Sequence, residues 1–82
     1  MIEYDLEYKE RTEKSWNFWN SYETFDEAKE ALEAEVERDN KKYGKGSFLY
    51  RVMKKEVEKD NNEKGLFLYR IMKKEEIYNS EE

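Results

Sequence analysis

An eleven-residue segment occurs twice in the C-terminal half of the chain, and this duplication limits the possible folds more than any other feature. Residues 46–56 read GSFLYRVMKKE and residues 65–75 read GLFLYRIMKKE, at an offset of 19 residues. Two nearly equal segments favour the same secondary structure, and the DNNEKG sequence at 60–65 between them is typical of a turn. The duplication therefore predicts an antiparallel hairpin in which one strand sequence is used twice.

The amino acids of the two copies favour strands, with a pair of helices as the alternative. Phenylalanine, tyrosine, valine and isoleucine are common in strands, whereas leucine, methionine, lysine, arginine and glutamate also form helices readily. We predict strands over 47–58 and 66–77 and keep the helical pair as the competing interpretation.

The first 22 residues predict another hairpin. Apolar residues at even positions alternate with acidic residues at odd positions from Ile2 to Tyr8, which is the pattern of a strand with one face in water. A polar stretch then leads to a second strand at 16–22. Its aromatic residues divide between two faces, with Trp16, Phe18 and Tyr22 on one and Trp19 on the other.

A helix is predicted between the two hairpins. Thr24 and Glu27 form a capping box, in which the threonine hydroxyl accepts a hydrogen bond from the backbone of residue 27. The helix runs to about Lys42, and Gly44 suits its C-terminal end. The apolar residues recur at the spacing of one helical face. They are Phe25, Ala28, Ala31, Leu32, Val36 and Tyr43.

The predicted order of elements is strand, strand, helix, strand, strand. Its simplest architecture is an α+β fold, in which a four-stranded antiparallel sheet in ββαββ order carries one helix packed on one face. We expect a single domain over residues 1–78, which includes the repeated strand, and a frayed tail at 79–82.

The residue types that are missing exclude most active-site chemistry. The 82 residues include no cysteine and no histidine, so thiolate metal ligands, imidazole ligands and the usual base near neutral pH are absent. Serines are few, and without histidine they cannot form an ordinary catalytic triad. We therefore expect a protein that is not an enzyme and that has no catalytic residue, no cofactor and no metal site.

The N-terminus and the hydropathy of the chain predict a cytoplasmic protein without membrane association. Residues 1–5 lack the basic and apolar segments of a signal peptide. No stretch approaches the roughly 20 apolar residues that a membrane-spanning helix needs.

Acidic charge is concentrated in the first half of the chain. Residues 1–46 hold 13 acidic and 8 basic side chains, whereas residues 47–82 hold 8 of each. The predicted helix has an acidic face that could contact a divalent cation or a basic surface of another protein, although no calcium-loop spacing is present. A solvated helix exterior is the simpler interpretation. This face comprises Glu27, Glu30, Glu33 and Glu37.

The second face of the sheet is the predicted interaction surface, because one helix covers only one side. If one face of both copies packs under the helix, apolar side chains and arginines of the repeated hairpin lie on the open face. The residues expected under the helix are Phe48, Tyr50, Val52, Phe67, Tyr69 and Ile71. Such a patch on the open face is typical of a protein interface, and strand twist or a folded-back tail is the alternative way to cover it. The predicted partner-binding residues are Trp19, Leu49, Arg51, Met53, Leu68, Arg70 and Met72.

A second copy of the chain is the simplest partner for this surface, and we predict a homodimer through the repeated hairpin. The hairpin is also expected to bring Arg51 near Arg70, and Met53 near Met72.

An alternative is a site for a nucleotide or single-stranded nucleic acid, since aromatic rings on a sheet can stack on bases. The net charge of −5 opposes non-specific binding to phosphate. The residues of this alternative site are Tyr50, Arg51, Tyr69 and Arg70.

The chain resembles small proteins encoded by bacteriophages and mobile elements of AT-rich bacteria. The resemblance rests on lysine, glutamate, asparagine and tyrosine usage, on the absence of cysteine, and on the WNFW run at 16–19 with YETFDEA at 22–28. Some of these proteins are anti-CRISPR or other anti-defence inhibitors, so the resemblance implies inhibition of a host or defence protein. The leading hypothesis is thus a non-enzymatic protein-binding module of this kind; a purely structural homo-oligomer is a further alternative.

Overall fold

The computed structural model describes residues 1–61 and 67–81, with the side chains of all of these except 59–61, 67 and 68. The predicted turn between the two copies and Leu66 lie largely outside the described residues. The elements follow the predicted ββαββ order. They are β1 (Ile2–Glu10), β2 (Asn17–Tyr22), α1 (Phe25–Tyr43), β3 (Phe48–Asn61) and β4 (Phe67–Asn79).

The strands form one antiparallel sheet in the spatial order β2-β1-β3-β4, and α1 packs across one face. The α+β prediction is confirmed, and both copies of the repeat are strands rather than helices. The hairpin of β3 and β4 is longer than β1, which pairs with β3 only as far as Ile2 opposite Glu56. The last residues of β3 and the first residues of β4 therefore form a two-stranded ribbon beyond the rest of the sheet.

The helix begins and ends where the capping signals place it. Thr24 is the N-cap, and its hydroxyl oxygen accepts a hydrogen bond from the backbone N–H of Glu27 at 3.2 Å. The same hydroxyl donates to the Glu27 carboxylate at 2.9 Å. Gly44 ends the helix with a φ of 90°, a value that is readily adopted only by glycine.

The hydrophobic core lies between α1 and the central strands β1 and β3. Leu6 and Val52 from the sheet meet Ala28 and Leu32 from the helix, and all four are buried. Tyr50 joins them, so Tyr50 and Val52 of the first copy pack under the helix as expected. The same expectation is wrong for Tyr69 and Ile71 of the second copy, which are about half exposed. Tyr4 and Phe25 add an aromatic contact with 6.2 Å between ring centroids, which places the first turn of α1 beside Tyr4.

Three one-residue irregularities shift the strand faces. Trp19 is an extra residue in β2, because Leu6 pairs with Asn20 and Glu7 pairs with Phe18. In β4 the extra residues are Met72 and Ile77. Each bulge changes which side chains share a face of the sheet.

The two copies do not align residue for residue across the hairpin. Arg51 lies opposite Asn79, and Arg70 lies opposite Glu58. The expected proximity of Arg51 to Arg70, and of Met53 to Met72, is wrong because antiparallel strands run in opposite directions. Only the segment near Lys55 and Lys74 meets its own repeat.

Ser80 and Glu81 lie in the segment 79–82 that was expected to be a frayed tail, and both contact other parts of the chain. The backbone N–H of Ser80 donates to the Tyr50 carbonyl at 2.9 Å, and the Ser80 hydroxyl accepts from the Tyr50 N–H at 3.0 Å. Glu81 forms an ion pair with Arg11 at 2.7 Å.

In the described part of the chain, α1 is not apolar enough to span a membrane.

Candidate functional site

The open face of the sheet carries a network of ion pairs. Glu7 on β1 lies between Arg51 on β3 and Lys74 on β4, and its two carboxylate oxygens lie 2.8 Å and 2.9 Å from their nitrogens. Burial by itself would raise the pKa of Glu7, but the hydrogen bonds from Lys74 and Arg51 outweigh it and lower the pKa. Glu7 is therefore an anion held between two cations.

A second group of ion pairs lies one step further along the same face. Lys55 contacts Asp5 at 2.8 Å and Glu3 at 3.5 Å, and both Lys55 and Asp5 are buried. Burial would lower the pKa of Lys55, but hydrogen bonds to Asp5 and Tyr69 outweigh that effect and raise it. The Lys55 nitrogen also lies 5.7 Å from the centroid of the Tyr69 ring.

Trp16 covers the end of this network. The indole lies over the Arg51 guanidinium at 4.2 Å from its ring centroid, and the Lys9 nitrogen lies at 5.0 Å. A flat guanidinium stacks favourably on an aromatic face. Arg51 also forms an ion pair with Glu76, with 3.5 Å between the guanidinium nitrogen and the carboxylate oxygen.

The open face is thus a mixed-charge surface at its centre, where the sequence predicted an apolar patch. Met53 is only 8% exposed, because the long side chains of Arg51 and Lys55 flank it on the same strand. Leu49 is partly buried, and the Arg51 guanidinium forms an ion pair with Glu7. These three predicted partner-binding residues lie together, but they offer little free apolar surface.

The other predicted partner-binding residues are dispersed. Trp19 was expected on the open face and lies instead against Tyr8, edge-on, at 5.5 Å between ring centroids on the side that carries α1. The bulge at this position places the indole on the opposite face of the sheet from the one that strict alternation predicts. Arg70 is exposed and pairs with Glu58 at 2.8 Å. Met72 is 55% exposed near the end of the sheet, and the side chain of Leu68 lies outside those described.

The residues of the alternative nucleotide site do not converge. Tyr50 is buried under α1, where its hydroxyl donates a hydrogen bond to Asp39, so its ring offers no face to a base. Burial and this hydrogen bond raise the pKa of Tyr50. Arg51 lies on the opposite face of the sheet, while Tyr69 donates a hydrogen bond to Glu3 at 3.3 Å.

The acidic face of α1 is exposed, and its carboxylates take part in separate local contacts. Glu27 caps the helix, Glu37 pairs with Lys41 at 3.2 Å, and Glu33 accepts a hydrogen bond from Tyr78 at 3.4 Å. Glu30 is exposed between them. No group of three acidic side chains among the described residues is arranged to hold a metal ion.

Four exposed apolar side chains and the buried Val57 lie at the outer end of the sheet. Met1 and Ile2, the first residue of β1, border Val57 of β3, whose N–H donates to the Met1 carbonyl at 2.8 Å. Val57 in turn lies opposite Ile71, next to Met72. We call these five residues the distal patch. A groove of about 580 Å³ lies beside four of them, Met1, Ile2, Val57 and Met72, and is also lined by Glu56 and Glu58.

Ile2 is uncovered because α1 starts too far inward, whereas Val57 and Ile71 lie on the open face, which has no helix. The first turn of the helix lies beside Tyr4, two residues from Ile2 along β1. Sequence reasoning found Met72 but missed Met1 and Ile2. The sequence signal for Ile2 was the alternating pattern, which already begins at this residue. An apolar side chain at the very end of a strand has to be covered by another element, and the 19-residue helix does not extend that far.

Comparison with known proteins identifies no relative. No family model, no curated protein and no solved structure matches the chain.

Proposed function

We propose that the protein is a non-catalytic protein-binding module and that the distal patch is its contact surface. The observation that carries the proposal is the grouping of large exposed apolar side chains at one end of the sheet, where Met1, Ile2, Ile71 and Met72 are each more than a third exposed. Single exposed apolar residues are normal on a protein surface, whereas adjoining ones mark an interaction site.

The composition of the patch supports a protein as the ligand. Methionine side chains are flexible and adapt to the shape of a partner, and two of the five residues are methionines. Glu58 is compensated by Arg70, but the Glu56 carboxylate in the groove lining disfavours phosphate groups and favours a partner with basic residues around an apolar centre. A protein surface with that pattern fits better than a nucleotide.

The biological role that we propose is inhibition of a host or defence protein. Its support is the resemblance to small phage-encoded inhibitors together with the negative charge of α1, whose first turn lies on the same side of the sheet as the groove. Long-range attraction between this acidic surface and a basic partner would speed the encounter and select the partner.

A charge placed in the patch tests the proposal. In affinity capture from cells of the source organism, followed by quantitative mass spectrometry, Met72→Glu should reduce retention of the partner at least tenfold, or about 1.4 kcal/mol. Ala34→Glu adds the same charge at an exposed position on α1 and should leave retention unchanged.

Circular dichroism and thermal unfolding of both variants check that the fold is retained. Equal retention by Met72→Glu and the unaltered protein would contradict the assignment of the distal patch.

A further inference from the structure

The β3–β4 hairpin contains a short segment of the repeat that pairs with its own duplicate. Lys54 lies opposite Glu75, Lys55 opposite Lys74, and Glu56 opposite Lys73. In the numbering of the repeat, position 9 meets position 11, position 10 meets position 10, and position 11 meets position 9. The Lys-Lys-Glu segment is therefore self-complementary in the antiparallel direction, with a local two-fold axis between Lys55 and Lys74.

The same segment lies on a free edge in β4. Among the strands that the structure describes, β4 is at the border of the sheet and has β3 as its one neighbour. An unpaired edge exposes backbone N–H and C=O groups that can pair with another strand. Any strand that carries the Lys-Lys-Glu sequence in the opposite direction would match this edge, and a second copy of β4 does.

We propose that two copies of the chain associate edge to edge through β4, antiparallel and centred on Lys74. Lys73 of each copy then lies opposite Glu75 of the second copy, so one contact yields two cross-strand ion pairs. The two-fold axis is perpendicular to the sheet, which joins two four-stranded sheets into one and keeps both helices on the same side.

The like charges at the centre of this arrangement are already neutralised. Each Lys74 would face its equivalent, but its nitrogen lies 2.9 Å from a Glu7 carboxylate oxygen of its own chain. The hairpin contains the same opposition between Lys55 and Lys74, and there Asp5 and Glu7 supply the counter-charges. The acidic residues of β1 thus make the lysine pair tolerable in both settings.

The bulges define the length of the contact. Lys73 to Glu76 is the regular stretch of β4 between the extra residues Met72 and Ile77. Ile71 and Ile77 lie just outside this stretch, at its two ends. These side chains are 49% and 38% exposed, so the proposed contact would bury apolar surface on both sides of the ion pairs.

Complementary charge reversal tests the register. Lys73→Glu places two glutamates opposite each other, and Glu75→Lys places two lysines opposite each other, so each variant alone should be monomeric in sedimentation equilibrium. An equimolar mixture should form a heterodimer, because residue 73 of each copy then lies opposite a residue 75 of unlike charge. Each substitution also changes the β3–β4 hairpin of its own chain, but mixing does not alter that change. Association that appears only in the mixture therefore reports the contact between chains.

Disulfide formation gives a second test, since the chain has no native cysteine. Residues directly opposite in an antiparallel pair have Cα atoms about 4.5–5.5 Å apart, within the range of a disulfide. Lys74→Cys should therefore form covalent dimers on mild oxidation. Lys73→Cys should not, because its equivalents would be roughly 8 Å apart when strands are ~5 Å apart and residues rise ~3.3 Å.

A monomeric unaltered protein at several hundred micromolar would overturn the proposal. So would a mixture of the two charge variants that fails to associate, or covalent dimers formed equally at positions 73 and 74. The contact uses the edge of β4 and not the groove of the distal patch. A monomer that still loses its partner on Met72→Glu would thus leave the proposed function in place.

Discussion

Glu7 is the residue on which the open face depends most. Its carboxylate connects β1 to β3 through Arg51 and reaches across β3 to Lys74 on β4. A carboxylate that is mostly buried is stable only when its charge is compensated, and these two cations compensate it. Removing the negative charge leaves both cations without their main partner.

We predict that Glu7→Gln lowers the free energy of unfolding by roughly 3 kcal/mol, the scale for breaking a buried ion pair. The matched control is Glu58→Gln, which removes the exposed pair with Arg70 and should cost less than about 1 kcal/mol. Denaturant unfolding monitored by circular dichroism measures both. If both variants lose the same free energy of unfolding, the Glu7 network stabilises the fold no more than an exposed ion pair does.

At the scale of secondary-structure elements, α1 was the most predictable part of the molecule. Its caps act within four residues, so Thr24, Glu27 and Gly44 were readable directly from the sequence. Thr24→Ala removes a hydrogen-bond acceptor for the Glu27 N–H and should cost about 1 kcal/mol. In thermal unfolding, this corresponds to a decrease in Tm of about 4–8 °C for a domain of this size.

The control for the cap is Thr12→Ala, which makes the same change in the exposed turn after β1. It should leave Tm nearly unchanged. A similar decrease for both variants would mean that the Thr24 hydroxyl does not stabilise the helix.

The strands were predictable as elements, but the faces of the edge strands were not. Strict alternation in β1 placed Tyr4, Leu6 and Tyr8 correctly under the helix. Trp19 and Met72 are extra residues in their strands, and one inserted residue reverses the side to which the following side chains point. Nothing in a single sequence gives the position of a bulge, because it depends on how two distant segments pair.

For the whole molecule, the shifted pKa values predict a stability plateau that falls at both extremes of pH. The pKa of Glu7 is below its ordinary value of 4.5, so its contribution is present above about pH 4.5 and is lost as the pH falls through the lowered value. The pKa values of Lys55 and Tyr50 are raised above 10.5 and 10.0. Their contributions are present below about pH 10 and are lost as the pH rises.

Denaturant unfolding between pH 2 and pH 11 checks this profile. The difference in unfolding free energy between the unaltered protein and Glu7→Gln should narrow as the pH falls below about 4, because Glu7 becomes neutral in both the folded and unfolded chains. A difference that stays constant across the acid range would contradict the assigned role of the Glu7 charge.

The sequence by itself determined the order of elements, the limits of α1, the strand character of the repeat and the absence of histidine and cysteine chemistry. These follow from local periodicity, capping and composition, which need no knowledge of distant contacts. Only the tertiary structure decided that Met53 is buried beneath charged neighbours, that the exposed apolar residues lie at the outer end, and that Lys74 meets Lys55. The reason is that strand register and bulges are set by pairing between residues far apart in the chain, and a shift of one residue exchanges the two faces of a strand.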